Sequence, residues 1–234
     1  MAKAVMVLGE SGSGKSSSLR TLKPVETFIL KPNSKELPFP GSETNYPTFN
    51  PKTGKGNVIE LAELGELRAK VLWVNKAPHI KNLVIEDLSH LYTKRILSDK
   101  FAKTEGYAKW AEFGAEVFNA IFSNLSGLRA DLTIIVLQHT EMRKNGTIAD
   151  KTSGKLISDT IDIPSWFTVT LHAMTIEKEG KTNYVFQTNK AGSYLAKSPS
   201  GMFKELYVRN DMQEILDTMK DYYNGKPQGE VVFI

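Results

Sequence analysis

The segment Gly9-Glu10-Ser11-Gly12-Ser13-Gly14-Lys15-Ser16 constrains this chain more than any other. It satisfies G-x-x-x-x-G-K-[ST] at every specified position, follows the apolar run at residues 4–8, and leads into a stretch, 15–22, that reads as a helix which Pro24 cannot continue. Strand, glycine-rich turn and helix in that order aim successive main-chain N–H groups at one point. The helix N-terminus is expected to add partial positive charge there. Such a cradle suits phosphate oxygens. Gly9, Glu10, Ser11, Gly12, Ser13, Gly14, Lys15, Ser16 and Ser17 are therefore the expected nucleotide contacts. Lys15 would reach the β- and γ-phosphates and the Ser16 hydroxyl would join a Mg²⁺ shell, so ATP and Mg²⁺ are the expected cofactors.

A metal on a triphosphate calls for a carboxylate at the end of a neighbouring strand. Leu83-Val84-Ile85-Glu86-Asp87 ends in two. Because side chains alternate across a strand, either acid can face the nucleotide. If Glu86 does, it holds the metal and Asp87 aligns the attacking water; in the other frame Asp87 takes the metal. Residues 132–137 form a second all-apolar run, as expected of a parallel strand covered on both faces, and it ends in Gln138-His139. An amide both donates and accepts, which makes Gln138 the candidate γ-phosphate sensor; a strand-end residue that merely caps the sheet is the alternative.

The remainder suits one α/β domain over residues 1–225 with a short tail at 226–234. Residues 27–30 read as a strand, and 32–56, with five prolines, as a long surface excursion holding at most a small hairpin. Residues 59–75 and 107–129 carry helical apolar stripes, the second including Trp110, Phe113, Val117, Ile121 and Leu125, which read as core faces. A polar loop is expected at 140–158, antiparallel strands at 166–176 and 183–188, a second polar loop at 189–201, and a helix at 212–223. With no cysteine, disulfides, thiolate zinc sites and cysteine nucleophiles are excluded. The four histidines include His90, His139 and His172, which read singly as strand-end or core residues. No apolar run approaches a bilayer span, and the N-terminus lacks a signal-peptide pattern, so a soluble cytoplasmic protein without membrane contact is expected. The formal net charge of +4 permits a polyanionic partner without requiring one.

Gly9–Ser16, Val84-Ile85-Glu86-Asp87-Leu88-Ser89-His90 and Leu137-Gln138-His139, in this order, resemble the RecA-type ATPase core. The similarity is closest to small phage-encoded, core-only RecA-like proteins of single-strand annealing and recombination, the phage ATP-binding proteins. Phe28-Ile29-Leu30-Lys31-Pro32-Asn33 and Thr188-Asn189-Lys190 extend it, over residues 3–205. At the second motif that family often reads hydrophobic-hydrophobic-Asp-Ser or -Asp-Asp, and Glu86 stands where its metal Asp falls. The resemblance implies a RecA-like P-loop NTPase fold, a mostly parallel sheet flanked by helices with an antiparallel extension. It also implies ATP hydrolysis, oligomerisation through the core, single-stranded DNA as partner, contact with other replication or recombination proteins such as a single-strand-binding protein, and the cytoplasm of a bacterial host.

In such proteins the loop after the sensing strand touches DNA. Here it carries Arg143, Lys144, Lys151 and Lys155, without an aromatic residue for base stacking; an ordinary solvated basic loop is the plainer reading. Lys190 and Lys197 either reach a neighbouring subunit's γ-phosphate, as arginine fingers do, or are loop charges. The tail from Gln228 either adds a strand to a partner or packs on its own sheet. Two rivals differ in class. A small-molecule P-loop kinase would need an arginine-rich lid, whereas the arginines here are few and scattered. A nucleotide-gated assembly module would bind without appreciable turnover.

Overall fold

The computed structural model describes residues 2–106, 108–121, 127–152 and 162–230. Among them nine strands form one sheet. They are β1 (Lys3–Gly9), β2 (Thr27–Lys31), β3 (Val58–Glu60), β4 (Asn82–Ile85), β5 (Thr133–Met142), β6 (Ile148–Asp150), β7 (Val169–Lys178), β8 (Lys181–Gln187) and β9 (Tyr207–Arg209). The order is β3-β2-β4-β5-β1-β7-β8-β9, with β6 paired to β5. Every pair from β3 to β7 is parallel, while β8, β9 and β6 run antiparallel to their neighbours. This is the expected mostly parallel α/β sheet with an antiparallel extension. The strand with the acidic end, β4, does not touch β1; β5 lies between them.

The central strands are apolar on both faces because helices cover both. On one face Met6, Leu8, Ile85, Ile134 and Val136 meet Leu67 and Val71 of α2 (Gly65–Asn75), Leu91 and Tyr92 of α3 (Leu88–Ile96), and Phe113 and Val117 of α5 (Ala108–Ile121). On the other, Val5, Val7, Val84, Ile135 and Leu137 meet Leu19, Leu22 and, from α6 (Met212–Tyr223), Met212, Ile215 and Met219. The Asp211 side chain starts α6 by accepting the Glu214 N–H at 3.0 Å. Among the described residues no helix is long and apolar enough to cross a membrane.

Several elements depart from the sequence reading. The helix expected at 15–22 is a single 3₁₀ segment, Ser16–Thr21, too short to develop the dipole of a long helix. The helix expected from residue 59 starts at Gly65, since Val58 and Ile59 pair with Ile29 and Leu30 at the sheet edge; β-branched residues suit that strand. The excursion at 32–56 holds one short turn of helix, α1 (Ser42–Asn45), and a small hairpin bridged at Asn50 and Lys55. Helices α3 and α4 (Asp99–Lys103) were not anticipated. Leu125, Gly154, Lys155 and residues 231–234 lie outside the described residues.

The largest correction concerns 140–150. Rather than a loop, β5 runs on to Met142 and turns at Lys144-Asn145-Gly146 into β6, with Gly146 at φ +78°. An Asn-Gly pair between extended segments is the signal that would have predicted this hairpin. Arg143 bonds Asp150 across it at 2.6 Å, and the Asp150 carboxylate is fully buried. Burial pushes Asp150 up to about 6; Arg143 opposes the shift and Asp162 adds to it. A carboxyl raised above its unfolded value stabilises the fold at low pH and loses that contribution as pH rises toward 6. Arg143→Gln, which leaves the buried carboxylate unpaired, should cost roughly 3 kcal/mol at pH 8 and clearly less at pH 5, where Asp150 holds its proton. Urea denaturation at the two pH values checks this.

Candidate functional site

The C-terminal ends of β1, β4 and β5 meet at a cleft of about 430 Å³. Lys15, Ser16, Glu86, Asp87, His139 and Tyr184 are among the residues that line it. Two glycines make the loop after β1 possible. A Cβ on Gly9 would lie 2.5 Å from Ser13 Oγ and 2.7 Å from the Ala173 carbonyl oxygen. Gly14, at φ +92°, would place one 2.7 Å from the Tyr184 ring. The turn closes through the Ser13 N–H to the Glu10 carbonyl at 3.3 Å and the Ser18 N–H to the Gly14 carbonyl at 3.0 Å. The Ser13 hydroxyl is buried in this turn without a hydrogen-bond partner among the described residues.

Lys15 is 8% exposed, and its ammonium has three protons to place. It donates to the Gly9 carbonyl at 2.7 Å and the Glu10 carbonyl at 2.8 Å, and approaches His139 Nδ1 at 3.5 Å. Burial pulls Lys15 down to about 8, against the charges of Asp87, Glu86 and Glu10, which favour the ammonium.

The two acids resolve by strand geometry. The Glu86 N–H extends the ladder to the Leu30 carbonyl at 2.8 Å, so alternation continues one residue past β4. Leu83 and Ile85 then face the α3/α5 layer, and Val84 and Glu86 face the loop side. Burial raises the Glu86 carboxyl, opposed by its hydrogen bond with Ser16 and by the charges of Lys31 and Lys35. Asp87 instead adopts a left-handed conformation, φ +53°, at the start of α3. That turn brings its carboxylate back beside Glu86 rather than across the sheet. Asp87 accepts from the Ser89 hydroxyl at 3.0 Å and lies 2.5 Å from His90 Nδ1 and 3.3 Å from His139 Nε2. Burial acts to raise it, but the hydrogen bond and charge of His139, with His90 and Ser89, outweigh that and hold it at about 2.

Gln138 does not join them. It pairs with Leu8, whose side chain lies on the α3/α5 face. Its amide is buried there and donates to the Lys151 carbonyl at 2.8 Å. His139, one residue on and on the opposite face, lines the cleft instead. Sequence reading missed His139 as a site residue, along with Lys35 and Tyr184, which reach the cleft from the proline-rich excursion and from β8. The strand-end alternation that left two acids open also holds the signal for His139.

The basic residues lie elsewhere. Arg143 is tied to Asp150, while Lys144 and Lys151 are exposed on and just after the hairpin. The Lys151 N–H donates to the His139 carbonyl at 2.8 Å. Lys190 is exposed; Lys197 pairs its backbone with Thr170 and extends toward the Ser165 carbonyl at 3.5 Å. Neither lines the cleft. Near the C-terminus, the Gly229 N–H donates to the Gly201 carbonyl at 3.0 Å.

The donor set fits a magnesium-bound triphosphate: a hydroxyl and a carboxylate in contact, a buried lysine, and a loop with an unpartnered buried hydroxyl. No protein-family model matches the chain, and no curated protein matches it. Among solved structures it is similar to a KaiC-like protein of the hyperthermophilic archaeon Pyrococcus horikoshii, at 13% identity and a TM-score of 0.47, covering 80% of this chain and 78% of that one. Such a likeness bears on neither substrate nor activity.

Lys15 supplies a thermodynamic test of the cleft. Near pH 8 about half of the lysine is neutral, and phosphate oxygens favour its charged form. Nucleotide binding at pH 8 should therefore take up a few tenths of a proton, and less at pH 7. Calorimetry in buffers of different ionisation enthalpy reads this directly; a binding heat independent of buffer at pH 8 would contradict the assignment of Lys15.

Proposed function

We propose that this protein is a Mg²⁺-dependent ATPase that acts, as an oligomer, on single-stranded DNA in recombination or strand annealing. The observation that carries the nucleotide part is the convergence of Lys15, Ser16, Glu86 and Asp87 on one cleft. Lys15 and the loop N–H groups hold the phosphates. Ser16 and Glu86 hold the magnesium ion, which when bound adds positive charge against the phosphate oxygens. Asp87, ionised at neutral pH and fixed by Ser89, His90 and His139, accepts a hydrogen bond from the attacking water and orients it. Its low pKa makes it a weak base, so its contribution is positional. The Tyr184 ring over Gly14 offers a flat apolar wall to the nucleobase.

The DNA part is supported by the family resemblance and by charge. With Arg143 held by Asp150, the phosphate contacts pass to Lys144 and Lys151. Lys151 is also the residue through which the site can report its state. Its N–H holds the His139 carbonyl and its carbonyl holds the Gln138 amide. A change at His139 on nucleotide binding thus reaches an exposed lysine through two hydrogen bonds.

Glu86→Gln should lower turnover on the order of 100-fold while leaving nucleotide binding measurable, and Lys15→Ala should abolish both. Steady-state ATPase assays with and without an oligonucleotide separate the readings. Stimulation by single-stranded DNA supports this one, phosphate transfer to a nucleoside supports a kinase, and binding without turnover supports an assembly module. For the DNA contacts, replacing Lys144 and Lys151 with alanine should reduce the slope of log affinity against log salt by about 1.4, or about 0.7 per lost contact on single strands. An unchanged slope would place the DNA elsewhere.

A further inference from the structure

Two of the chain's four histidines converge on one carboxylate. His90 sits in the first turn of α3 and His139 where the parallel pairing of β5 with β1 ends, and their rings lie 6.2 Å apart with Asp87 between them. The donor atoms of Asp87, His90 and His139 all fall within 4.8 Å of one another. In a tetrahedral site with bonds of about 2.0–2.1 Å, ligand atoms stand about 3.3 Å apart. The Asp87–His139 separation is already 3.3 Å, and the Asp87–His90 separation of 2.5 Å opens by rotation of His90, whose side chain is 54% exposed.

The carboxylate among these atoms is held in place by a neighbouring hydroxyl. Ser89 donates its hydroxyl proton to Asp87 and accepts the main-chain N–H of His139 at 3.2 Å, which fixes the carboxylate and ties β5 to the start of α3. The left-handed backbone of Asp87 turns its carboxylate toward both imidazoles. Two imidazoles and a carboxylate suit zinc-class ions far better than magnesium, which prefers oxygen ligands. His172 takes no part; it is buried on the opposite face against Tyr194, at 4.6 Å between rings.

We propose that Asp87, His90 and His139 form a binding site for a divalent transition metal of the zinc class, distinct from the Ser16–Glu86 position and independent of nucleotide. Three protein ligands leave at least one coordination position to water. Coordination through His139 Nε2 keeps that ring's proton on Nδ1, the nitrogen that faces Lys15 at 3.5 Å. The ammonium then loses one of its three partners and is released toward the phosphates. Coordination also removes Asp87 from water alignment. This second consequence rests on the ATPase reading, and it makes the metal an inhibitor of turnover.

The test uses the full chain, free of any histidine tag, stripped of metal and titrated with Co²⁺ without nucleotide. Expected are visible bands of four- or five-coordinate cobalt that saturate at one equivalent and are bleached by Zn²⁺. His90→Ala should weaken Zn²⁺ binding about 100-fold, while His79→Ala, at an exposed residue away from the cluster, should not change it. His90→Gln serves as a second variant if the alanine form is unstable. Cobalt that stays in its hexaaqua form, or an affinity unchanged in the folded His90 variant, overturns the proposal. Nucleotide binding to the metal-free wild type is read separately. A chain that binds nucleotide but no cobalt keeps the cleft and loses this site, and one that takes up cobalt but no nucleotide does the reverse.

Discussion

The placement of β5 between β1 and β4 is the constraint on which the site depends. Parallel pairing fixes Gly9 opposite His139 and Ile85 opposite Val136. With that register set, the alternation of side chains leaves no freedom about which strand-end residues share a face. A slip of one residue in β5 would exchange His139 for Gln138 at the cleft and force the side chains of both layers to repack. The apolar runs of three central strands, which look like core and nothing more, are therefore also what aims the chemistry.

Lys15 shows how the free site stays folded around charged groups. A buried ammonium is costly unless its protons are placed, and here loop carbonyls and an imidazole receive them. In the proposed function, phosphate binding exchanges these neutral partners for charged ones. Charge-assisted hydrogen bonds are roughly twice as strong as neutral ones, so the exchange runs toward the ligand. Because the third partner is His139, whose other nitrogen touches Asp87, one imidazole links the lysine to that carboxylate.

Much of this was legible in the sequence, for identifiable reasons. The loop motif works through backbone geometry that glycine spacing dictates locally, and continuous apolar runs mark parallel strands whatever their neighbours. The antiparallel pair β7 and β8 was readable from alternation and the Glu179-Gly180 turn. Other features depended on distant partners. Glu86 and Asp87 could not be ordered until the ladder to Leu30 was known to continue past Ile85. Gln138 was chosen for its chemistry, but its face is decided by the pairing of β5 with β1. Ile59 reads in sequence as the start of a helix and, with Val58, becomes an edge strand because β2 offers an open side. His90 and His139 lie 49 residues apart in the sequence, and nothing local brings them together.

The central claim is that the loop after β1 grips a triphosphate with Lys15 and places its metal between Ser16 and Glu86. A crystal structure with a nonhydrolysable ATP analogue and magnesium tests it most directly. The account predicts the analogue's phosphates inside the loop, Lys15 Nζ withdrawn from the Gly9 and Glu10 carbonyls to meet them, and the ion bound by Ser16 with Glu86 beside it. An analogue bound elsewhere, with Lys15 still on its own loop carbonyls, would contradict the account.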